Sequence, residues 1–94
     1  MMQLRWAPAA RRDLRRIELR VDALDPLLAG RIFAEIERQI GRILDFPYSA
    51  PAIAGSALRK LSIPRFDYLV IYIVLAEDVV ILRVRHAHED WLRI

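Results

Sequence analysis

At 94 residues and 11.0 kDa, the chain has room for one domain (residues 1–94) and none for a second fold or a large cofactor cradle. With 55% hydrophobic and 29% charged residues, no cysteine and no long apolar run, disorder, disulfides, thiolate metal sites and a membrane-spanning helix are all excluded. The formal net charge is +3, and every basic residue except Lys60 is an arginine, a planar, permanently charged group that suits an acidic protein or a nucleic acid.

Residues 3–6 alternate polar and apolar, which predicts a short strand. Pro8 suits the first turn of a helix, where its missing N–H costs nothing. Ala10, Leu14, Ile17, Val21 and Leu24 then follow at helical spacing and define one apolar stripe. Arg12, Arg16 and Arg20 form a second stripe roughly opposite, which reads as a solvated face. Asp25-Pro26 ends this helix and starts the next: Asp25 can cap it and Pro26 takes its first position. Ala29, Ile32, Ile36, Ile40, Ile43 and Leu44 carry the second apolar stripe, and Phe46-Pro47 stops it. So short a link predicts an antiparallel helical hairpin.

Residues 47–56 read as a loop with two prolines and a glycine. Three strands are predicted after it, at 57–63, 66–75 and 79–86, with a turn at Ala76-Glu77-Asp78 between the last two. The fold class is therefore α+β in the order β-α-α-β-β-β, a helical hairpin on one face of a small, mainly antiparallel sheet. Residues 1–10 lack the apolar stretch of a signal peptide, so a cytoplasmic location with no membrane association is expected.

The strand at 66–75 is apolar on both faces. One face presents Tyr68, Val70, Tyr72 and Val74, the other Leu69, Ile71, Ile73 and Leu75. A sheet covered on one side should alternate apolar and polar residues. The second apolar row is thus expected to be an interaction surface. With Val80, Leu82 and Val84 assigned to the core, Val79, Ile81, Arg83 and Arg85 join that open face. Such a platform fits an acidic, amphipathic peptide, and equally a phosphate backbone.

The only histidines are His86 and His88, two apart. With Glu89 or Asp90 they could imitate a two-His-one-carboxylate site. Nothing else in the chain has ligand spacing, so no metal and no cofactor is expected. No Cys nucleophile, Ser-His-Asp set or Gly-rich phosphate loop is present. Metal-independent RNA cleavage would still be open to Lys60, Arg83, Arg85, His86 and His88, one group taking the 2′-OH proton and another stabilising the phosphorane.

The chain resembles the toxins of the RelE/ParE superfamily of bacterial toxin–antitoxin modules over nearly its whole length. The resemblance is carried by Trp6-Ala7-Pro8-x-Ala10, Asp13-Leu14-x-x-Ile17, Ile43-Leu44-x-Phe46-Pro47 and Arg59-x-Leu61. It continues in Phe66-x-Tyr68-x-x-x-Tyr72 and in Ile81-Leu82-Arg83-Val84-x-His86-Ala87-x-x-Asp90-Trp91. The ending is most similar to the ParE branch. That resemblance implies a non-enzymatic toxin that binds DNA gyrase and is neutralised by a cognate acidic antitoxin in a hetero-oligomer. The antitoxin is expected along Leu69, Ile71, Ile73, Ile81 and Arg83, and the target at Arg85, His86, His88 and Trp91. The RelE branch implies instead a ribosome-dependent mRNA endonuclease. Leu69 and Glu89 stand where its ribonucleases tend to carry basic residues, which weakens that reading. A module that binds a partner and does nothing further is the third alternative.

Overall fold

The computed structural model describes residues 2–88. In chain order they form β1 (Gln3–Trp6), α1 (Pro8–Leu24), α2 (Pro26–Asp45), β2 (Leu58–Ile63), a short 3-10 turn (Pro64–Phe66), β3 (Tyr68–Leu75) and β4 (Asp78–His86). One four-stranded sheet has the order β1-β4-β3-β2. β2 with β3 and β3 with β4 are antiparallel, whereas β1 lies parallel to β4. This is the expected α+β architecture, with the hairpin on one face.

Asp25 alone joins the two helices. Its N–H donates to the Val21 carbonyl at 2.8 Å and closes α1. Its carboxylate accepts from the N–H groups of Leu27 (3.1 Å) and Leu28 (3.3 Å) and opens α2. Pro26 follows at the first helical position, as the dipeptide predicts. With no slack in the link, the hairpin lays Ala10, Ile17 and Val21 beside Ile32, Ile36, Ile40 and Ile43. These meet Leu61, Ile63, Tyr68, Val70, Tyr72, Val79, Ile81 and Val84 of the sheet in one core.

Two expectations are corrected here. Phe66 and Asp67 are not strand. Pro64 starts a 3-10 turn, and Asp67 ends it in the left-handed region at φ 57°. A short polar residue tolerates that conformation better than most. The second correction concerns the faces of β4. Tyr72 pairs with Ile81 but Ile71 pairs with Arg83, so Leu82 is an extra residue in the ladder. This bulge reverses the alternation. Val79 and Ile81 therefore join Val84 in the core at 0, 0 and 2% exposure. Val80 and Leu82, expected in the core, are half-buried and outside it.

β1 ends at Trp6, opposite Ile81, so β4 runs past its neighbour. Asp13 of α1 fills the gap. Its carboxylate accepts from Arg83 Nε (2.7 Å), Arg83 Nη2 (2.8 Å) and the Val84 backbone N–H (2.9 Å). The Asp13 side chain is 1% exposed and that of Arg83 15%. Burial pushes the Asp13 carboxyl up, but the Arg83 fork, the Val84 N–H and the charges of Arg83 and Arg85 together hold it below its ordinary 3.8.

A second tie secures the 47–52 loop. Tyr72 donates its hydroxyl to the Pro47 carbonyl at 2.7 Å. Arg59 Nη1 donates to the carbonyls of Tyr48 (3.2 Å) and Ala50 (2.7 Å). Burial raises the Tyr72 pKa, so its hydroxyl keeps the proton it donates.

Replacing Asp13 with Ala removes the carboxylate that holds the Arg83 guanidinium and the Val84 N–H, and should lower unfolding free energy by about 3–5 kcal/mol in denaturant titration. Because the folded pKa is depressed, the wild-type contribution is present above the unfolded value. It is lost as pH falls through the lower folded one. Asp13→Asn should therefore flatten the acid limb of a stability-versus-pH curve. Tyr72→Phe, which removes one hydrogen bond, should cost about 1 kcal/mol by the same titration.

Candidate functional site

The two flanks of α1 have different chemistry. On one flank, Leu4 and Trp6 of β1, Leu14 of α1, and Phe33, Ile36 and Ile40 of α2 line an apolar groove of about 850 Å³. Its rim carries Arg11, Arg15, Glu18 and Glu37. The groove follows from register. Leu4 and Trp6 pair with Val79 and Ile81, so they share the hairpin's side of the sheet, on its edge strand. Arg15 donates to Glu18 at 3.3 Å on this rim.

On the other flank, Arg12, Arg16 and Arg20 are exposed one helical turn apart. Arg16 Nη1 lies 3.9 Å from Asp13 Oδ1, a carboxylate already held by Arg83. Arg20 Nη2 donates to the Tyr68 hydroxyl at 3.3 Å. The Tyr68 ring meets His86 edge-on at 5.3 Å, and the rings of His86 and His88 are 5.1 Å apart. The His88 backbone N–H donates to His86 Nδ1 at 3.3 Å. His88 Nε2 lies 3.9 Å from Asp67 Oδ2, with both side chains exposed. Among the described residues, no group of three or more His, Cys, Asp or Glu could hold a metal ion. No helix among them is long and apolar enough to cross a membrane.

The residues singled out in the sequence are distributed as follows. Leu69, Ile71 and Ile73 lie on the sheet face away from the hairpin, but Leu69 and Ile71 are 7% and 0% exposed. Lys60 and Arg83 flank Ile71 in register, and Ser62 and Arg85 flank Leu69. Long cationic side chains lay their methylene stems on such apolar rows. This face opens only towards half-buried Ile73 and exposed Leu75. Ile81 is moved by the bulge into the core, where no partner can touch it. Arg83 turns its guanidinium to Asp13 rather than outward. Trp91, with Glu89 and Asp90, lies outside the described residues.

The ribonuclease set does not converge. Lys60 shares the far face with the register positions of Arg83 and Arg85, whereas His86 pairs with Tyr68 on the hairpin side. The sheet separates the amine from the imidazole, and Arg83 is committed to Asp13. What converges with His86 and His88 is Tyr68 and Arg20, together with Arg16 beside Asp13. The arginine stripe was visible in the sequence, but nothing local linked it to a tyrosine 48 residues away.

The chain matches the ParE toxin family of type II toxin–antitoxin systems (parDE) over residues 4–91, and it belongs to that family. It is similar to the Sinorhizobium fredii (strain NBRC 101917 / NGR234) protein named "Putative toxin Y4kP". The two are 30% identical over 89 residues, covering 95% of this chain and 92% of that protein. Among solved structures it is similar to the chromosomal ParDE system of P. aeruginosa. There the TM-score is 0.80 at 22% identity, covering 94% of this chain and 98% of that one. The toxin fold is also shared with the intact E. coli RelBE complex, at a TM-score of 0.67 and 15% identity, covering 95% and 100%.

Phe33→Glu puts a carboxylate on a half-buried groove wall and should leave the far-UV circular dichroism spectrum unchanged. A melting temperature close to that of the wild type would establish the groove as a surface rather than as core.

Proposed function

We propose that this type II toxin arrests growth by binding DNA gyrase, without cleaving RNA, and is held inactive by a cognate acidic antitoxin. The observation that carries the reading is the division of the ribonuclease candidates. Lys60 and His86 stand on opposite faces of the sheet, and Arg83 is gripped by Asp13. General acid–base cleavage needs those groups within reach of one phosphate. Docking needs only surfaces. Membership of the ParE toxin family supports the gyrase-directed reading over the ribosome-directed one.

The antitoxin is assigned to the groove between β1 and the hairpin. The far-face row at Leu69 and Ile71 is closed, whereas the groove offers an open apolar trough with Arg11 and Arg15 on its rim. An amphipathic acidic segment buries its apolar side in such a trough and meets the arginines with its carboxylates. The structural neighbours support a partner of this kind, since they are a ParDE system and a RelBE toxin–antitoxin complex.

Induction of the chain alone in bacteria tests the activity. Chromosome breakage with intact transcript ends is expected, together with inhibition of supercoiling by purified gyrase. Rapid transcript cleavage with intact DNA would instead establish a nuclease, and unchanged growth a binding module without toxicity. For the antitoxin, Leu14→Glu or Phe33→Glu should lower affinity for the cognate antitoxin at least tenfold in calorimetry. Equal binding by wild type and both variants would place the antitoxin elsewhere.

A further inference from the structure

The arginine flank of α1 has no role in the antitoxin assignment. Arg12, Arg16 and Arg20 project from one side of the helix at four-residue intervals, about 6 Å apart along its axis. Among the described residues, Arg12 has no carboxylate within ion-pair distance. Arg16 has only Asp13, already satisfied by Arg83, and Arg20 contacts a neutral phenol. On the groove flank, by contrast, Arg15 is paired with Glu18. Arg11 is the one arginine of the groove flank without an ion pair among the described residues, so three of the four arginines of α1 that lack a carboxylate of their own stand on the ridge. The ridge ends beside Tyr68, whose ring meets His86 of β4 edge-on at 5.3 Å.

We propose that this ridge binds the phosphate backbone of duplex DNA. The inference rests on the reading of the chain as a toxin that acts at gyrase, an enzyme whose substrate is DNA. It adds that the toxin touches the nucleic acid itself. The chemistry of the ridge favours DNA over an acidic protein. Protein interfaces are built around a buried apolar centre depleted of charge, with a polar rim. This ridge has no such centre: its exposed apolar side chains, Leu19 beside it and Leu24 one turn beyond Arg20, stand at its margin and its end, neither of them buried. Phosphate recognition needs no apolar centre. It takes guanidinium groups at regular intervals, each forming bidentate hydrogen bonds, and gains affinity from released counterions. A row stepping one helical turn at a time meets successive phosphates along one strand. It reads no base, so the contact is independent of sequence.

The test uses the purified full-length chain and fluorescein-labelled 20-base-pair duplexes of two unrelated sequences, followed by anisotropy from about 50 to 200 mM salt. Both duplexes should bind alike. Three phosphate contacts give a slope of log K against log salt near −3. Arg12→Ala/Arg16→Ala should reduce the magnitude of that slope by about 2. The control Arg11→Ala/Arg15→Ala removes the same charge from the groove flank and should leave the slope unchanged. Circular dichroism checks that all variants are folded. The proposal is overturned if neither duplex binds at the lowest salt, or if the two double variants lose affinity equally, which would reflect net charge alone. It is also overturned if polyglutamate binds the wild type and is lost from the Arg12/Arg16 variant in parallel with DNA. That outcome would make the ridge a site for acidic polypeptides. Supercoiling inhibition is read separately with the same proteins. Inhibition by a wild type that binds neither duplex leaves the gyrase reading intact while the DNA contact falls. DNA binding without inhibition does the reverse.

Discussion

The architecture depends on one carboxylate. A strand that outruns its neighbour exposes unpaired backbone and a ragged edge, and β4 does so where β1 stops. Asp13 reaches from α1 to that edge and satisfies both the Val84 N–H and the Arg83 guanidinium. A neutral side chain could accept the backbone hydrogen bond but could not balance the arginine. An exposed pair would be worth little. Here the carboxylate is almost wholly buried, so the pair sets where the helix lies on the sheet. The bulge at Leu82 is part of the same arrangement, because it falls beside Arg83, at the point where the strand begins to run alone.

From that placement follows the division of α1 into two working sides. With Asp13 turned towards β4, Arg16 and Arg20 are carried to the same side, beside Tyr68 and His86. Leu14 and Arg15 are turned away, over the trough left by edge strand β1. A rotation of the helix by one residue would mix the two chemistries and spoil both. The apolar trough suits a partner that hides surface, and the cationic side suits one that brings charge. A partner seated in the trough would meet Arg11 and Arg15 and leave the arginines beside β4 uncovered, because the two lie on different flanks of α1.

Much of this was legible in the sequence because it is written locally. Asp25-Pro26 marks the end of one helix and the cap of the next in two letters, and Phe46-Pro47 stops the second. The order of elements, the hairpin and the antiparallel core strands follow from periodicity alone. The faces of β4 did not, for a definite reason. The run Val79-Val80-Ile81-Leu82 is apolar at every position, so alternation cannot select a phase, and a bulge leaves no mark in such a run. Leu69 and Ile71 were expected to be exposed because a sheet with one hairpin should have one bare face, yet both are buried. Asp13 carries no local sign of its role, since its partner lies 70 positions away. For the same reason the arginine stripe looked like an ordinary solvated face. Its placement against Tyr68 is a property of the assembled sheet.

The strand order has a consequence for synthesis. β4 lies between β3 and β1, so the first strand made can join the sheet only when the last described strand arrives. Until then Leu4 and Trp6 have no ladder to hold them, and the trough they wall does not exist. Contacts spanning so much of the chain close late. A nascent polypeptide on the ribosome therefore lacks the trough until β4 has emerged and paired with β1.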